Sequence, residues 1–308
     1  MFRSLIIEDG EKVTVSHHVL QVERGEETVP IPVEDVYCLV LDNPRLLLSA
    51  YALAELAQAG AHVVVCGPKH MPAGLLYPEL IHYRPYGAVK KQVELTQGLK
   101  DALWDRIVKA KLQNQAEALS LCGADERAAQ RIRELAEEVA EGDGGNREGI
   151  GAKLYFRALF GSHFIRMHDD GINGALNYGY AILRSAVAKT LYLFGLYPPL
   201  GIHHIGASNP FNLADDLMEP FRPLVDLWAD LHREELALGL TAAHRRQLVN
   251  LVNLEWTYGG GEMKVRNVII RYVKSFVSAM ESGDPDRLEP PRLGRGVYDR
   301  MASVCPEP

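Results

Sequence analysis

Residues 89–121, with the sequence VKKQVELTQGLKDALWDRIVKAKLQNQAEALSL, mark the point at which the hydrophobic pattern of the chain changes period. Apolar residues recur there at helical spacing among Lys, Gln and Glu, which predicts a helix over this stretch. Short β-branched runs precede it, and runs of helical period follow it to about residue 280. The chain is therefore predicted to be an α+β protein, in which a small β-rich domain is followed by a larger α-helical domain.

The predicted domain limits follow from this change of period. Residues 1–83 form the N-terminal β-rich domain, residues 84–285 the helical domain, and residues 286–308 an irregular tail rich in Pro, Arg and Asp. The junction is placed near His82–Tyr86, where Pro85 and Gly87 interrupt the pattern.

The N-terminal domain is predicted from β-branched runs separated by turns. Its strands are placed at 4–7, 12–15, 19–22, 28–31, 36–40, 62–66 and 75–77, with one helix at 46–59 that ends at Gly60. Further helices are predicted at 124–141, 147–160, 174–194, 210–231, 241–256 and 262–280. The helix at 210–231 contains Pro220 and Pro223, so it is expected to kink or break there.

Composition narrows the class of protein. The chain of 308 residues is 47% hydrophobic and 24% charged, which is typical of a folded globular protein. No apolar run is long enough to span a bilayer, and the N-terminus turns acidic too early for a signal peptide, so a cytoplasmic protein without a membrane anchor is expected. The four cysteines are scattered, and Cys38 and Cys66 are predicted to be buried thiols rather than disulfide partners.

A paired-histidine motif is the strongest chemical signal in the sequence. Residues 201–206 read GIHHIG and precede a helix carrying Asp215, Asp216 and Glu219, which share one face at spacings of three and four. Asn209 is expected to cap this helix, with Pro210 at its first position. Imidazole and carboxylate donors without a thiolate suit Mg²⁺ or Mn²⁺ better than a structural zinc.

The spacing alone leaves several assignments open. Only one of the adjacent residues His203 and His204 is expected to face a given point, and the other then serves in packing or in support of a ligand. Asp215 is the acid most expected to be merely solvated. Glu148 starts the predicted helix at 147–160 and is followed by small residues that allow close approach, yet an acid there also complements the helix dipole.

Other polar clusters are weaker candidates. His163 and His168, with Asp169 and Asp170, resemble an ordinary polar turn, and His244 is expected on an exposed helix start. The net charge of −7 argues weakly against non-specific nucleic-acid binding. Basic residues interleaved with tyrosines can nevertheless line a DNA groove, and such residues are Arg84, Lys90, Lys91, Arg127, Arg131, Arg133, Lys264, Arg266, Arg271 and Lys274.

Three motifs in order give the chain a family resemblance. The segments around Glu148 (146–156), His204 (201–206) and Glu219 (209–223) resemble the CRISPR-associated endonuclease that acts as the spacer integrase of bacterial adaptive immunity. The resemblance covers about residues 1–285 and is closest to the type II form. It implies that Glu148, His204 and Glu219 are the catalytic and metal-binding triad, and that Asp216 is a further acid near the site.

The resemblance also implies partners and a reaction. A homodimer formed through the β domains would join a small ferredoxin-like partner in a heterohexamer and carry prespacer DNA for insertion into a CRISPR repeat. The 3′-hydroxyl of the prespacer would attack a repeat phosphodiester with Mg²⁺ or Mn²⁺ present. Two alternatives stay open: a metal-dependent nuclease of branched DNA in repair, and a non-catalytic DNA-binding assembly subunit.

Overall fold

A computed structural model describes residues 3–78 and 84–304 of the chain. The N-terminal part contains two four-stranded sheets and one helix. Its elements are β1 (Arg3–Ile7), β2 (Lys12–Ser16), β3 (Val19–Arg24), β4 (Glu27–Pro32), β5 (Val36–Leu41), β6 (Leu47–Leu48), α1 (Ala50–Gln58), β7 (His62–Cys66) and β8 (Pro72–Leu76). The predicted strands are confirmed, and the predicted helix is shorter because residues 47 and 48 form a strand.

The two sheets differ in strand direction. The first has the order β1-β5-β7-β8, in which β1, β5 and β7 are parallel and β8 is antiparallel. The second has the order β4-β3-β2-β6, with antiparallel pairs among β2, β3 and β4. Every residue of β5 is buried. Leu39 packs in the core of the β region and Val40 in the core of the helical region, which explains why β5 reads as a continuous apolar run.

The C-terminal part is mainly helical. Its elements are α2 (Pro85–Val93), α3 (Gln97–Cys122), α4 (Glu126–Glu137), α5 (Arg147–Phe160), α6 (Gly171–Leu193), α7 (Asn212–Met218), α8 (Arg222–Leu231), α9 (Arg233–Leu236), α10 (Ala242–Asn250), β9 (Glu255–Tyr258), β10 (Gly261–Lys264), α11 (Val265–Ser282) and α12 (Arg295–Val304). Of the predicted helices, 147–160 matches α5 at both ends. In the described part of the chain, no helix is long and apolar enough to cross a membrane.

Two predicted elements divide differently in the structure. The helix predicted over 89–121 is two helices, because the chain breaks after α2 and Thr96 caps α3 by accepting the N–H of Leu99 at 3.3 Å. Between α10 and α11 lies the hairpin β9–β10, which helical periodicity had hidden. Gly259 and Gly260 form its two-residue turn, with φ of 59° and 78° as this kind of hairpin requires.

The C-terminal segment is ordered against the helical core rather than irregular, so the predicted tail is wrong in this respect. Asn114 Oδ1 accepts the N–H of Leu293 at 2.9 Å, and Trp256 Nε1 donates to the carbonyl of Arg292 at 2.7 Å. The segment also buries the apolar side chains Leu288, Leu293, Val297 and Met301. These apolar residues are widely spaced among Pro and Arg, so the sequence pattern did not indicate that they are buried. Residues 305–308, including Cys305, lie outside the described part.

The β region docks on the helices through a buried ion pair. Arg245 Nε donates to Asp42 Oδ2 at 2.7 Å, and both side chains are almost fully buried. The neighbouring His244 is 4% exposed and lies 2.9 Å from Glu235 Oε2, so the expected exposed helix start is wrong. Cys38 and Cys66 are buried, as predicted. Residues 82 and 83 of the predicted domain junction lie outside the described part, and the junction stays a prediction.

Replacing Asn114 by Ala should lower the free energy of unfolding by about 2–4 kcal/mol, because buried backbone groups lose their partners. Asn114 Nδ2 donates to the carbonyls of Pro220 at 2.7 Å and Pro291 at 3.0 Å, besides its bond to Leu293. Urea denaturation measures the change. Asn250→Ala removes an exposed amide and is the matched control, expected within about 0.5 kcal/mol of wild type. Equal effects for the two variants would contradict the role assigned to Asn114.

Candidate active site

Two of the three predicted site residues meet at one lysine. Lys111 on α3 places its Nζ 2.5 Å from Glu148 Oε1 and 2.5 Å from Glu219 Oε2. Lys111 is 5% exposed and Glu219 is 1% exposed, whereas the side chain of Glu148 is 23% exposed. The ion triple is therefore shielded from water except on the side of Glu148.

Close packing of α5 on α3 brings Glu148 to Lys111. A Cβ at Gly151 would come 2.3 Å from Leu112 Cδ2, so only glycine allows the two helices this approach without a shift. Leu112 is the residue next to Lys111 and is fully buried. The prediction that small residues after Glu148 serve close approach is confirmed at Gly151.

The N-terminus of α5 is fixed by side-chain caps. Asn146, with φ of 50°, accepts the N–H of Gly149 on Oδ1 at 3.2 Å. The carboxylate of Asp143 accepts the N–H of Arg147 at 2.7 Å and the N–H of Glu148 at 3.0 Å. These bonds satisfy the free amides of the first turn and hold the backbone of Glu148 in place.

A break in the helix positions Glu219. The predicted kink is confirmed: a single 3-10 turn, Glu219–Phe221, separates α7 from α8. Pro220 lacks the N–H that a continuous helix would use. The carbonyl of Pro220 accepts a hydrogen bond from Asn114 of α3. Asn114 lies three residues after Lys111 on the same helix, so one face of α3 holds both the carboxylate and the backbone of the break.

Asp216 organises the histidine loop. Its carboxylate accepts the backbone N–H groups of Ile202 at 2.7 Å, His203 at 3.2 Å and His204 at 3.0 Å. It also accepts the Nδ1–H of His204, with Nδ1 2.6 Å from Asp216 Oδ1. Gly201 completes the loop, because a Cβ there would come 2.1 Å from the carbonyl oxygen of His204. The fully buried Asp216 thus fixes both the loop and the ring of His204.

The two adjacent histidines have different environments. The His203 ring stacks on Trp104 of α3, with centroids 4.1 Å apart and planes 6° apart. The His204 ring is T-shaped against the same Trp104, at 5.7 Å, and its Nδ1 is bound to Asp216. This leaves Nε2 as the nitrogen of His204 that can bind a metal. The stacking gives His203 the packing role that the sequence left open.

The start of α7 differs from the prediction. Phe211 rather than Asn209 precedes the first helical residue, Asn212, and Asn209 Oδ1 accepts the N–H of Phe211 at 3.0 Å. Asp215, expected to be solvated, instead accepts a hydrogen bond from Asn209 Nδ2 at 2.7 Å and faces Arg184 at 3.9 Å. Asp215 therefore anchors the loop before α7.

Electrostatics favours the charged forms in this cluster. Burial lowers the pKa of Lys111, but the carboxylates of Glu219 and Glu148 raise it above its ordinary value overall. Burial raises the pKa of Glu148, and Lys111 brings it below its ordinary value. The hydrogen bond to Asp216 raises the pKa of His204, against the opposing effect of burial.

A divalent metal suits this donor set, although the three predicted ligands are not gathered around an open position. Within residues 3–78 and 84–304, no three His, Cys, Asp or Glu side chains are placed so that they could hold a metal ion. The Lys111 ammonium occupies the space between the two carboxylates instead. Two carboxylates that already bind one cation, and an imidazole oriented by a carboxylate, fit a hard divalent cation such as Mg²⁺ or Mn²⁺.

Arg222 links Glu219 to a second buried acid. Its guanidinium lies 3.0 Å from Glu219 Oε1 and 4.9 Å from the centre of the Tyr180 ring. The hydroxyl of Tyr180 donates to Asp226, which is fully buried. Burial raises the pKa of Asp226 to about 6, although the hydrogen bond from Tyr180 lowers it. Neither Arg222 nor Asp226 was a candidate from the sequence.

The weaker candidates do not form a second centre in the described residues. His163 and His168 are exposed, and Asp170 caps α6 by accepting the N–H of Asn173 at 2.7 Å. Two basic residues of α4 pair with nearby acids: Arg131 lies 3.0 Å from Glu134 and from Glu138, and Arg133 lies 2.8 Å from Glu126. Arg271 and Lys274 of α11 line a groove of about 550 Å³ together with Arg287.

Comparisons with known proteins identify the family of the chain. A family model described as CRISPR associated protein Cas1 matches residues 5–230. A CRISPR-associated endonuclease Cas1 of Neisseria meningitidis serogroup C is 37% identical over 295 residues, covering 95% of this chain and 96% of the relative.

Solved structures share the fold at low sequence identity. A structure titled casposase bound to integration product has a TM-score of 0.76 at 18% identity, over 98% of this chain and 99% of that one. A chain of a Cas6-RT-Cas1–Cas2 complex has a TM-score of 0.73 at 18% identity, over 94% of this chain and 36% of that longer one. The protein is thus a CRISPR-associated protein. It belongs to the Cas1 family, and the resemblance drawn from the sequence is confirmed.

Replacing Gly151 by Ala should destabilise the protein by about 1–3 kcal/mol, because the new methyl group overlaps Leu112 in a closed core. Gly174→Ala on α6 is the matched control: its Cβ would meet ordinary contact at 3.9 Å, and alanine favours a helix. We expect the Gly174 variant to be as stable as wild type or up to about 1 kcal/mol more stable. Thermal or urea unfolding measures both. A Gly151 variant as stable as the control would show that α5 and α3 are not in the close contact described.

Asp226 should make stability depend on pH. Its pKa of about 6 in the folded protein exceeds its ordinary value of 3.8, so folding takes up a proton between these limits, and the free energy of unfolding falls as pH rises through them. Asp226→Asn removes this pH-dependent contribution, so its stability relative to wild type should rise by about 2–3 kcal/mol between about pH 4 and pH 7.

Urea denaturation at a series of pH values measures this difference. Asp169→Asn, at an exposed position, is the control and should follow the wild-type pH profile. A difference between the Asp226 variant and wild type that stays flat or falls with rising pH would contradict the assignment.

Proposed function

We propose that the protein is a metal-dependent DNA endonuclease and integrase that inserts prespacer DNA into a CRISPR repeat array. The proposal rests above all on one observation: Glu148 of α5 and Glu219 at the break after α7 meet at one cation. Asp216, three residues before Glu219, orients His204. Membership of the Cas1 family and the likeness to a casposase fold support it. In the proposed reaction a prespacer 3′-hydroxyl attacks a repeat phosphodiester; a new P–O bond forms as the bond to the leaving 3′-oxygen breaks.

The residues of the site divide the work of this reaction. Glu148, Glu219 and Nε2 of His204 would hold Mg²⁺ or Mn²⁺, which neutralises the phosphate and lowers the pKa of the attacking hydroxyl when bound. Asp216 keeps the Nδ1–H of His204 engaged, so that Nε2 is the nitrogen that would bind the metal after giving up any proton it carries. Arg222 holds one oxygen of Glu219 at 3.0 Å and fixes the orientation of that carboxylate. No ATP is needed, because one phosphodiester replaces another.

Partners of the proposed enzyme are DNA and protein chains. A prespacer and a repeat are its substrates. The groove lined by Arg271, Lys274 and Arg287 with a single acid, Glu289, offers a net positive surface for a DNA backbone despite the net charge of −7. A homodimer through the β region is supported by the exposed apolar side chains of Leu47 and Tyr51. A neighbour in fold occurs in a complex named with Cas2, which supports a protein partner. The proposal makes this partner a small ferredoxin-like protein and the assembly a heterohexamer. The proposed location is the cytoplasm.

Strand transfer tests the proposal directly. Purified protein, with a matching small partner, receives a labelled oligonucleotide, a repeat-containing plasmid and Mn²⁺ or Mg²⁺. Glu148→Ala, His204→Ala and Glu219→Ala should each reduce joining by at least about 100-fold, because each removes a proposed metal ligand. Glu134→Ala and His163→Ala change exposed residues of the same types and are the controls, expected to keep wild-type joining. Full activity in all three site variants would falsify the assignment of the site.

A second substrate separates integration from hydrolysis. An oligonucleotide that lacks the 3′-hydroxyl should give no joined product, whereas cleavage of branched DNA by water would not require that hydroxyl. Cleavage that is unaffected by the missing hydroxyl, with no joining by the normal oligonucleotide, would favour the repair nuclease. DNA binding with neither reaction would favour a non-catalytic assembly subunit.

A further inference from the structure

The ammonium of Lys111 stands where the proposed metal would be bound. Its Nζ is 2.5 Å from one oxygen of Glu148 and 2.5 Å from one oxygen of Glu219. A metal held by the carboxylates of Glu148 and Glu219 would have to take the place of the ammonium between them. An ammonium and a divalent cation cannot share that point, because the space is too small and their charges repel.

Lys111 is also an unusual residue at its position. It lies on the buried face of α3, four residues after Ile107 and next to Leu112, both fully buried. A lysine is almost never this deeply buried unless it is paired. Its burial is compensated here by the two acids, whose own burial is compensated by it.

We propose that Lys111 is a built-in counter-ion that holds Glu148 and Glu219 together before the metal binds and is displaced from between them when it does. The inference rests on the proposed metal site. Metal binding is then an exchange of one cation for another. The free energy needed to move the Lys111 ammonium away from the two carboxylates makes the binding of the metal weaker by that amount. The lysine side chain is a flexible stem with a compact charge, and Glu148 is open to solvent on one side, so the ammonium has a way out.

The chain offers a matched control for this exchange. Lys189 is also a largely covered lysine, but its Nζ donates to the carbonyl of Tyr37 at 3.1 Å and lies 3.8 Å from the centre of the Tyr37 ring. It contacts no carboxylate of the site. Lys189→Met therefore removes a covered ammonium of the same chemistry without altering the charge between Glu148 and Glu219.

Two measurements on the full chain test the exchange: the melting temperature in EDTA and in Mn²⁺, and the dissociation constant of Mn²⁺ by calorimetry. Lys111→Met should melt several degrees below wild type in EDTA, because the buried Glu219 and the partly buried Glu148 lose their counter-ion, and should recover in Mn²⁺. Its dissociation constant for Mn²⁺ should fall at least tenfold, since no ammonium has to leave. Lys189→Met should lose stability equally in EDTA and in Mn²⁺ and keep the wild-type dissociation constant.

A second variant keeps the test decisive if Lys111→Met does not fold. Lys111→Arg retains the charge and adds a rigid fork that can bind both carboxylates, so it should stay folded in EDTA and bind Mn²⁺ more weakly than wild type. An Mn²⁺ affinity unchanged or raised in Lys111→Arg would overturn the exchange, as would an affinity unchanged or weakened in Lys111→Met.

Failure of the exchange is distinguishable from failure of the proposed function. If wild type binds no Mn²⁺, or binds it equally well after Glu148→Gln, the metal site itself is wrong. If wild type binds Mn²⁺ and Glu148→Gln abolishes this binding while the Lys111 variants show none of the expected changes, the metal site stands and only the role of Lys111 is rejected.

Discussion

The contact of Lys111 with two carboxylates is the interaction on which the candidate site depends. Glu148 lies in the first turn of α5 and Glu219 at the break between α7 and α8. Bringing a partly buried and a fully buried acid together is unfavourable unless a cation lies between them. Lys111 supplies that cation from the central helix α3. Two other residues help to bring the carboxylates to Lys111. Gly151 allows α5 to pack closely on α3, and Asn114 donates a hydrogen bond to the carbonyl of Pro220 at the break that contains Glu219.

Asp216 has a comparable role for the histidine loop. Three backbone N–H groups and one ring N–H converge on a carboxylate that no water reaches. Such a carboxylate is stabilised by its donors, and in return it fixes the direction of the His204 ring. Asp216 and Glu219 lie three residues apart, so one short segment orients the imidazole and presents an acid. The spacing was visible in the sequence, but the loop that it builds was not.

The structural elements that could be predicted from the sequence were those whose pattern depends on neighbouring residues. The strand β5 and the helix α5 were predicted correctly, because a continuous apolar run and helical spacing report burial directly. The break at Pro220 was also read, since the missing N–H of proline acts locally. The hairpin β9–β10 was missed because its two four-residue strands lie within apolar runs of helical period. The ordered C-terminal segment was missed because its partners, such as Trp256, lie far away along the chain.

The sequence by itself determined the family, the fold class and the identity of the candidate ligands, because ordered motifs around Glu148, His204 and Glu219 are local patterns. Only the tertiary structure decided what surrounds them. Lys111 stands on a buried helix face, and nothing nearby in the sequence marks it as a partner of acids 37 and 108 positions away. Long-range charge pairs form because chain folding brings distant helices together, and a linear pattern carries no record of that approach.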